Sequence, residues 1–217
     1  KGYAELLNRW GKDDPKVMEE SVAAMLAEAD NMQRLVEQLL FLARGDAGRT
    51  AFSPEKVDLR ELLLSAVDEY KLIGTKHTWR IRAEEPVFTF GDEAMLKQAL
   101  RILADNAIKY SPEGSIITLR AHYTPQGMAT LSVQDNGTGI KAEDLPHLFE
   151  RFYRSDPARS RGGTGLGLAI AKWITERHEG HIDVFSSLGL GTRFTINLPA
   201  YKEEDKTAQP KAAMAAE

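Results

Sequence analysis

The 217-residue sequence contains no cysteine. That removes disulfide cross-links, thiol nucleophiles and cysteine-based zinc sites, and it fits a reducing compartment. No run approaches the 18 or so apolar residues needed to cross a bilayer. The opening residues, KGYAELLNRW, lack the long apolar stretch of a signal peptide, so a soluble chain is expected. Positive charge is not in excess either, since 28 basic and 32 acidic side chains leave a formal charge of −4. Sequence-independent nucleic-acid binding needs a basic surface that displaces phosphate counterions, so no nucleic-acid partner is expected. What is present is an ordinary globular composition, 42% hydrophobic. At roughly 100 to 200 residues per domain the length allows one medium domain with an appendage, or two small ones.

Residues 1–46 differ from the rest. From Asp14 to Arg44 there is no glycine, and the sole proline, Pro15, suits the first turn of a helix, where no donor is needed. Met25, Ala29, Met32, Val36, Leu39 and Ala43 alternate steps of four and three, the spacing of a helix packed along a seam. Leu35, Leu40 and Leu42 widen the stripe beyond one partner helix. Tyr3, Leu6, Leu7 and Trp10 are also helically spaced, and GKDDP breaks the pattern. The expectation is an antiparallel helical hairpin whose first arm is too short for its second. The long arm then needs other partners, through dimerisation or through a first helix that has been cut.

A turn-rich linker at 47–56 leads into a mixed pattern at 57–199, followed by a polar, alanine-rich tail at 200–217. Helices are expected over 59–72, 92–110 with Asp92 as N-cap, and 165–177, with a short one near 145–149. Strands are expected over 78–82, 87–90, 116–123, 128–134, 181–186 and 192–198.

Three segments carry chemistry-bearing residues. On the helix ending ALRILADNAIKY, Asn106, Lys109 and Tyr110 share an arc of about 100° with Ala99, Ile102 and Leu103, which sets polar groups on or beside an apolar face. They either meet a ligand or cap a neighbouring loop and snorkel to water. In LSVQDNGTGI, strand alternation puts Asp135 in phase with Ala129, Leu131 and Val133. A buried carboxylate needs a donor, and the exocyclic amine of a purine is one. Gly137 and Gly139 would let a planar ring approach the backbone; alternatively the segment is merely a turn. RGGTGLGLAIAKWI joins a glycine-rich loop to a helix N-terminus, a phosphate cradle by its free donors and dipole. No G-x-x-x-x-G-K-[ST] or G-x-G-x-x-G occurs, so neither a Walker loop nor a dinucleotide fingerprint is supported. Arg151, Arg154, Arg159 and Arg161 precede the loop, as a mobile lid or as a solvated basic segment.

The order N-A-x-K-Y, D-x-G-x-G, F-x-R-F-Y-R, G-T-G-L-G-L resembles the ATP-binding domain of sensor histidine kinases over roughly residues 57–199. The resemblance implies an α+β fold, a two-layer α/β sandwich of the Bergerat type, preceded by a partial hairpin at 1–46 similar to the family's dimerisation and phosphotransfer hairpin. It implies ATP and Mg²⁺ as cofactors. Asn106 would ligate Mg²⁺ through its amide oxygen, Lys109 would neutralise phosphate, and Tyr110 would lie against the nucleotide. Asp135 would select adenine, with Gly137, Gly139 and Ile140 lining the ring. Arg151 and Arg154 would reach the terminal phosphate, and Gly163, Thr164, Gly165, Leu166 and Gly167 would wrap the phosphates. Gly191 and Thr192 match a weaker closing motif.

The implied activity is transfer of the ATP γ-phosphoryl group to a histidine, then to an aspartate of a response-regulator receiver domain. A homodimer through the hairpin and a location on the cytoplasmic side of a membrane-anchored bacterial sensor are implied as well. His77, His122, His147, His178 and His181 all lie outside the hairpin, and none is followed by the family's E/D-x-x-R box. The phosphoacceptor histidine is therefore expected to be missing, and this chain is not expected to phosphorylate itself. One departure concerns Ile102, where many members carry a second asparagine. ATPases of the same fold carry a glutamate there to activate water, which Ile102 cannot do. An ATP hydrolase and a nucleotide-free dimerisation module are the alternatives.

Overall fold

The computed structural model describes residues 15–155 and 163–203. The expected first hairpin arm, Arg159, Arg161 and the tail from 204 lie outside the described residues. The long second arm is helix α1, Pro15–Asp46, whose buried residues are only Ser21 and Leu42. Its seam is largely exposed: Met32, Val36 and Leu39 keep 56%, 54% and 40% of their surface. Only its C-terminal end docks on the following domain. There Phe41 packs edge-on against Trp173 at 5.1 Å, and Gly45 lies so close that a Cβ would come within 2.7 Å of that indole.

The domain that follows runs β1 (Glu55–Asp58), α2 (Leu59–Ile73), β2 (Thr78–Arg82), β3 (Phe88–Gly91), α3 (Glu93–Tyr110), β4 (Ile116–Tyr123), β5 (Met128–Gln134), a 3₁₀ turn (Leu145–His147), α4 (Gly167–Arg177), β6 (His181–Ser187) and β7 (Gly191–Pro199). β1 pairs with β3 in a small antiparallel ribbon. The main sheet has the order β2-β4-β5-β7-β6, parallel between β2 and β4 and antiparallel elsewhere. Alternation decides its two faces. Ile117, Leu119, Leu131, Val133, Ile196 and Leu198 point into the core with Leu100 and Leu103 of α3 and Ile170 and Ile174 of α4. Thr130, Ser132 and Asn197 occupy the other face, although their strands bury them. The architecture is the expected two-layer α/β sandwich. A truncation such as Leu103→Ala, at a side chain with no exposed surface, would cost about 2–5 kcal/mol.

The caps are local and legible. Asp92 accepts the Met95 N–H at 3.0 Å and so starts α3, as expected. Asp58 accepts the Arg60 N–H at 2.9 Å at the head of α2, and Gly74 closes that helix at φ 75°. At the foot of α4 the buried His178 ring accepts the Asp92 N–H at 2.9 Å through Nε2 and donates to the Ile174 carbonyl at 2.7 Å through Nδ1. That pairing fixes a neutral tautomer, and burial pushes its pKa below the ordinary value of 6.5. Among the described residues no helix is long and apolar enough to cross a membrane.

Candidate functional site

A cavity of about 1340 Å³ opens where the C-terminal half of α3, the loop after β5, the glycine loop before α4 and one side of α1 converge. Helical spacing places Ile102, Asn106, Lys109 and Tyr110 along its floor. The Lys109 ammonium lies 4.9 Å from the centre of the Tyr110 ring. Asp105 also reaches the wall, where its carboxylate accepts the Tyr70 hydroxyl at 2.7 Å. Burial raises the Asp105 pKa against that bond.

Asp135 stands at the opposite wall with 6% of its surface exposed. Its Oδ1 accepts the Gly137 N–H at 2.7 Å and the Thr192 N–H at 3.2 Å. Its own N–H donates to the Thr192 carbonyl at 2.9 Å. Both backbone donors use Oδ1, so Oδ2 accepts from neither. Burial raises the carboxyl pKa above the ordinary 3.8, and the N–H groups of Gly137, Thr192 and Asp135 itself only partly offset this.

The glycines have a reason beyond the one the sequence suggests. A Cβ on Gly137 would sit 2.3 Å from the Tyr110 carbonyl oxygen, and one on Gly139, at φ 68°, 2.0 Å from that of Ser187. Close backbone crossings inside the protein require them, whatever the ligand. Gly139 and Ile140 line the cavity, whereas Gly137 is buried behind it.

In the glycine loop Gly163, Thr164, Gly165 and Gly167 face the cavity, while the Leu166 side chain, with no exposed surface, is committed to the core. Gly165 takes φ 72°, which a right-handed helix excludes, so α4 begins at Gly167 rather than at 165. Gly165 also accepts the Phe152 N–H at 2.9 Å, which stitches the start of the expected lid to this loop. Phe152 itself is held at φ 65°. Arg154 reaches the cavity wall. Arg151 does not. Its guanidinium makes two bonds, at 2.9 and 2.8 Å, to the Asp46 carboxylate at the end of α1, which holds the Asp46 pKa below the ordinary range.

Sequence reasoning missed the contribution of α1. Gln38 accepts the Thr164 hydroxyl at 2.6 Å, and Met32 and Leu35 complete that side of the cavity. It also missed Leu188, at the cavity mouth, and Ser186 behind it. No motif marks these residues; serine and leucine near a turn are commonplace. None of the five histidines lines the cavity.

Among the described residues there is no group of three His, Cys, Asp or Glu side chains able to hold a metal. Asn106, on the cavity floor, carries a neutral amide. That suits a hard cation which arrives already coordinated by phosphate oxygens and water, as Mg²⁺ does.

Residues 91–202 match the family described as histidine kinase-, DNA gyrase B-, and HSP90-like ATPases, and residues 1–48 match the His Kinase A (phospho-acceptor) domain. Sensor histidine kinase YkoH of Bacillus subtilis is 41% identical over 196 residues, which are 89% of this chain and 42% of that protein. This chain thus spans about two-fifths of that relative's length. Among solved structures, mycobacterial sensor histidine kinase MprB superposes with a TM-score of 0.60 at 31% identity, covering 68% of this chain and 98% of that one. Full-length ShkA in complex with AMPPNP gives 0.70 at 28% identity, covering 85% and 39%. The chain belongs to the histidine kinase-, DNA gyrase B-, and HSP90-like ATPase family, among its sensor histidine kinases.

Proposed function

We propose that the chain binds Mg·ATP in this cavity and presents its γ-phosphate to a histidine supplied from outside the cavity. Asp135 carries the proposal. It is a buried carboxylate with one oxygen locked by two backbone donors and its second oxygen available, the arrangement that reads the exocyclic amine of adenine. Tyr110, Gly139 and Ile140 bound the base. Lys109 and the N–H groups of 163–167 offset phosphate charge at the N-terminus of α4. Arg154 lies where the terminal phosphate would come, and Arg151 joins it once released from Asp46. The similarity to ShkA, described in complex with AMPPNP, supports the same reading.

Mg²⁺, when bound with ATP, would supply charge neutralisation on the phosphates, with Asn106 as its protein ligand. The chain's own residues then align and screen the triphosphate. A histidine nitrogen attacks the γ-phosphorus in line, an N–P bond forms as the P–O bond to ADP breaks, and ADP leaves with the electron pair. Ile102, one turn before Asn106 on the floor, offers no proton acceptor to activate water, which favours transfer over hydrolysis. Relay to a response-regulator aspartate, dimerisation through the exposed apolar seam of α1, and attachment to a membrane sensor belong to the same proposal.

Calorimetric titration of ATP into the wild type, D135N and N106D is the test. Binding that is weakened about ten- to hundredfold in D135N and weakened in N106D in the presence of Mg²⁺ is expected, and undiminished binding in both variants refutes the assignment. Incubation with γ-labelled ATP is expected to leave this chain unlabelled, because no histidine reaches the cavity. Acid-labile label on any of the five would contradict that.

A further inference from the structure

The loop that carries Asp135 rests on a platform. Its second half, from Thr138 to Ile140, lies across the β6–β7 hairpin, with the Gly189 N–H donating to the Thr138 carbonyl at 2.7 Å. Its first half is tied to Thr192 through both the backbone and the side chain of Asp135. One hydroxyl joins the two halves. Ser186 Oγ lies 2.9 Å from the Ile140 nitrogen, 2.9 Å from the Gly191 carbonyl and 2.9 Å from Thr192 Oγ1.

A hydroxyl has one proton and two acceptor lone pairs, and here all three are used. The proton goes to the Gly191 carbonyl, while the lone pairs take the Ile140 N–H and the Thr192 hydroxyl. Ser186 does not itself line the cavity. It stands between the residue that ends the purine-side loop and the segment whose N–H grips Asp135 Oδ1. Gly191 packs closely on the same loop, since a Cβ there would meet the Asp135 carbonyl oxygen at 2.2 Å.

We propose that Ser186 is a positioning residue for purine selection. Its hydroxyl fixes the register between the 135–140 loop and the start of β7, and so aims the Asp135 carboxylate at the base. This inference rests on reading the cavity as an ATP site. Removing the hydroxyl strands the Ile140 N–H and the Gly191 carbonyl. The loop and hairpin then settle apart, and the Thr192–Asp135 pairing drifts with them.

The readout is the ratio of dissociation constants for inosine triphosphate and ATP, which differ at the purine 6-position, an oxo group replacing the amine. Both are titrated calorimetrically into the wild-type chain, S186A and S186T, with circular dichroism checking that each is folded. T130A is the control, because the Thr130 hydroxyl donates to the His122 carbonyl at 2.9 Å and lies outside the cavity wall.

The wild type is expected to prefer ATP about tenfold or more, the usual weight of a hydrogen bond to a charged group. S186A is expected to lose most of that preference through weaker ATP binding, S186T to recover it, and T130A to keep it. If S186A does not fold, the isosteric pair S186T and S186V makes the same comparison. An unchanged ratio in a folded hydroxyl-free variant, or equal weakening of both nucleotides, overturns the role of Ser186 and leaves the ATP site standing. A wild type that binds neither nucleotide, or both alike, overturns the ATP reading and this inference with it.

Discussion

The two ends of the cavity are built by different means. At the Asp135 end, backbone does the positioning: N–H groups of Gly137 and Thr192 hold the carboxylate, and glycines let strands and loops cross at distances no side chain tolerates. At the glycine-loop end, side chains from α1 do it. Gln38 holds Thr164, and Asp46 holds Arg151. Backbone contacts within one domain form when that domain folds and persist afterwards. Contacts from a separate helix last only while that helix stays docked. On the proposed ATP reading, the difference teaches that base recognition would be preformed, whereas the disposition of phosphate-facing groups would depend on where α1 lies.

The largest expected effect breaks the preformed end. Gly139→Ala forces a Cβ to within 2.0 Å of a carbonyl oxygen at φ 68°, strain of about 1–3 kcal/mol before the clash is counted. The melting temperature should fall by several degrees at about 2–4 °C per kcal/mol for a chain of this size. Gly167→Ala meets only the Ile102 methyl, at 3.2 Å, in a helical residue. Its melting temperature should scarcely move, and equal losses in both variants would erase the contrast.

Asp135→Asn comes next. It keeps an oxygen for the two backbone donors and removes a buried charge. ATP affinity should fall about ten- to hundredfold by calorimetry, while the melting temperature holds or rises. The sign follows from linkage. With its pKa raised in the folded protein, the ionised carboxylate costs stability at neutral pH, and that cost disappears as the pH drops through the raised value toward 3.8. ATP binding should run the other way. The carboxylate must be ionised to accept the amine, so affinity should decline as the pH falls through the same window. In Asp135→Asn this dependence should vanish. The smallest effect belongs to the other end: Asp46→Ala frees Arg151, and a slight gain in ATP affinity over ADP is expected, with no change in the preference for adenine.

Much of the sandwich was legible because its signals are local. Alternation marked 78–82, 116–123 and 128–134, and the Asp92 cap marked the start of α3. β1 was not: Glu55–Asp58 is four residues long, sits in a turn-rich stretch, and exists through its pairing with β3. At the site, motif order alone groups Asn106, Lys109, Tyr110 and Asp135, which line one cavity. The sequence did not reveal that Arg151 pairs with Asp46, or Thr164 with Gln38, because partners separated by 105 and 126 residues leave no periodic trace. The glycines were recognised, but the backbone crossings that also require them were not, since residue type alone does not distinguish room for a ligand from room for a neighbouring strand.

A crystal structure of the chain with Mg·AMPPNP tests the preformed base site most directly. The account predicts the adenine amine on Asp135 Oδ2, with the Gly137 and Thr192 bonds to Oδ1 unchanged from 2.7 and 3.2 Å. A base bound elsewhere, or a carboxylate that has to turn away from those two N–H groups to meet it, would contradict the account.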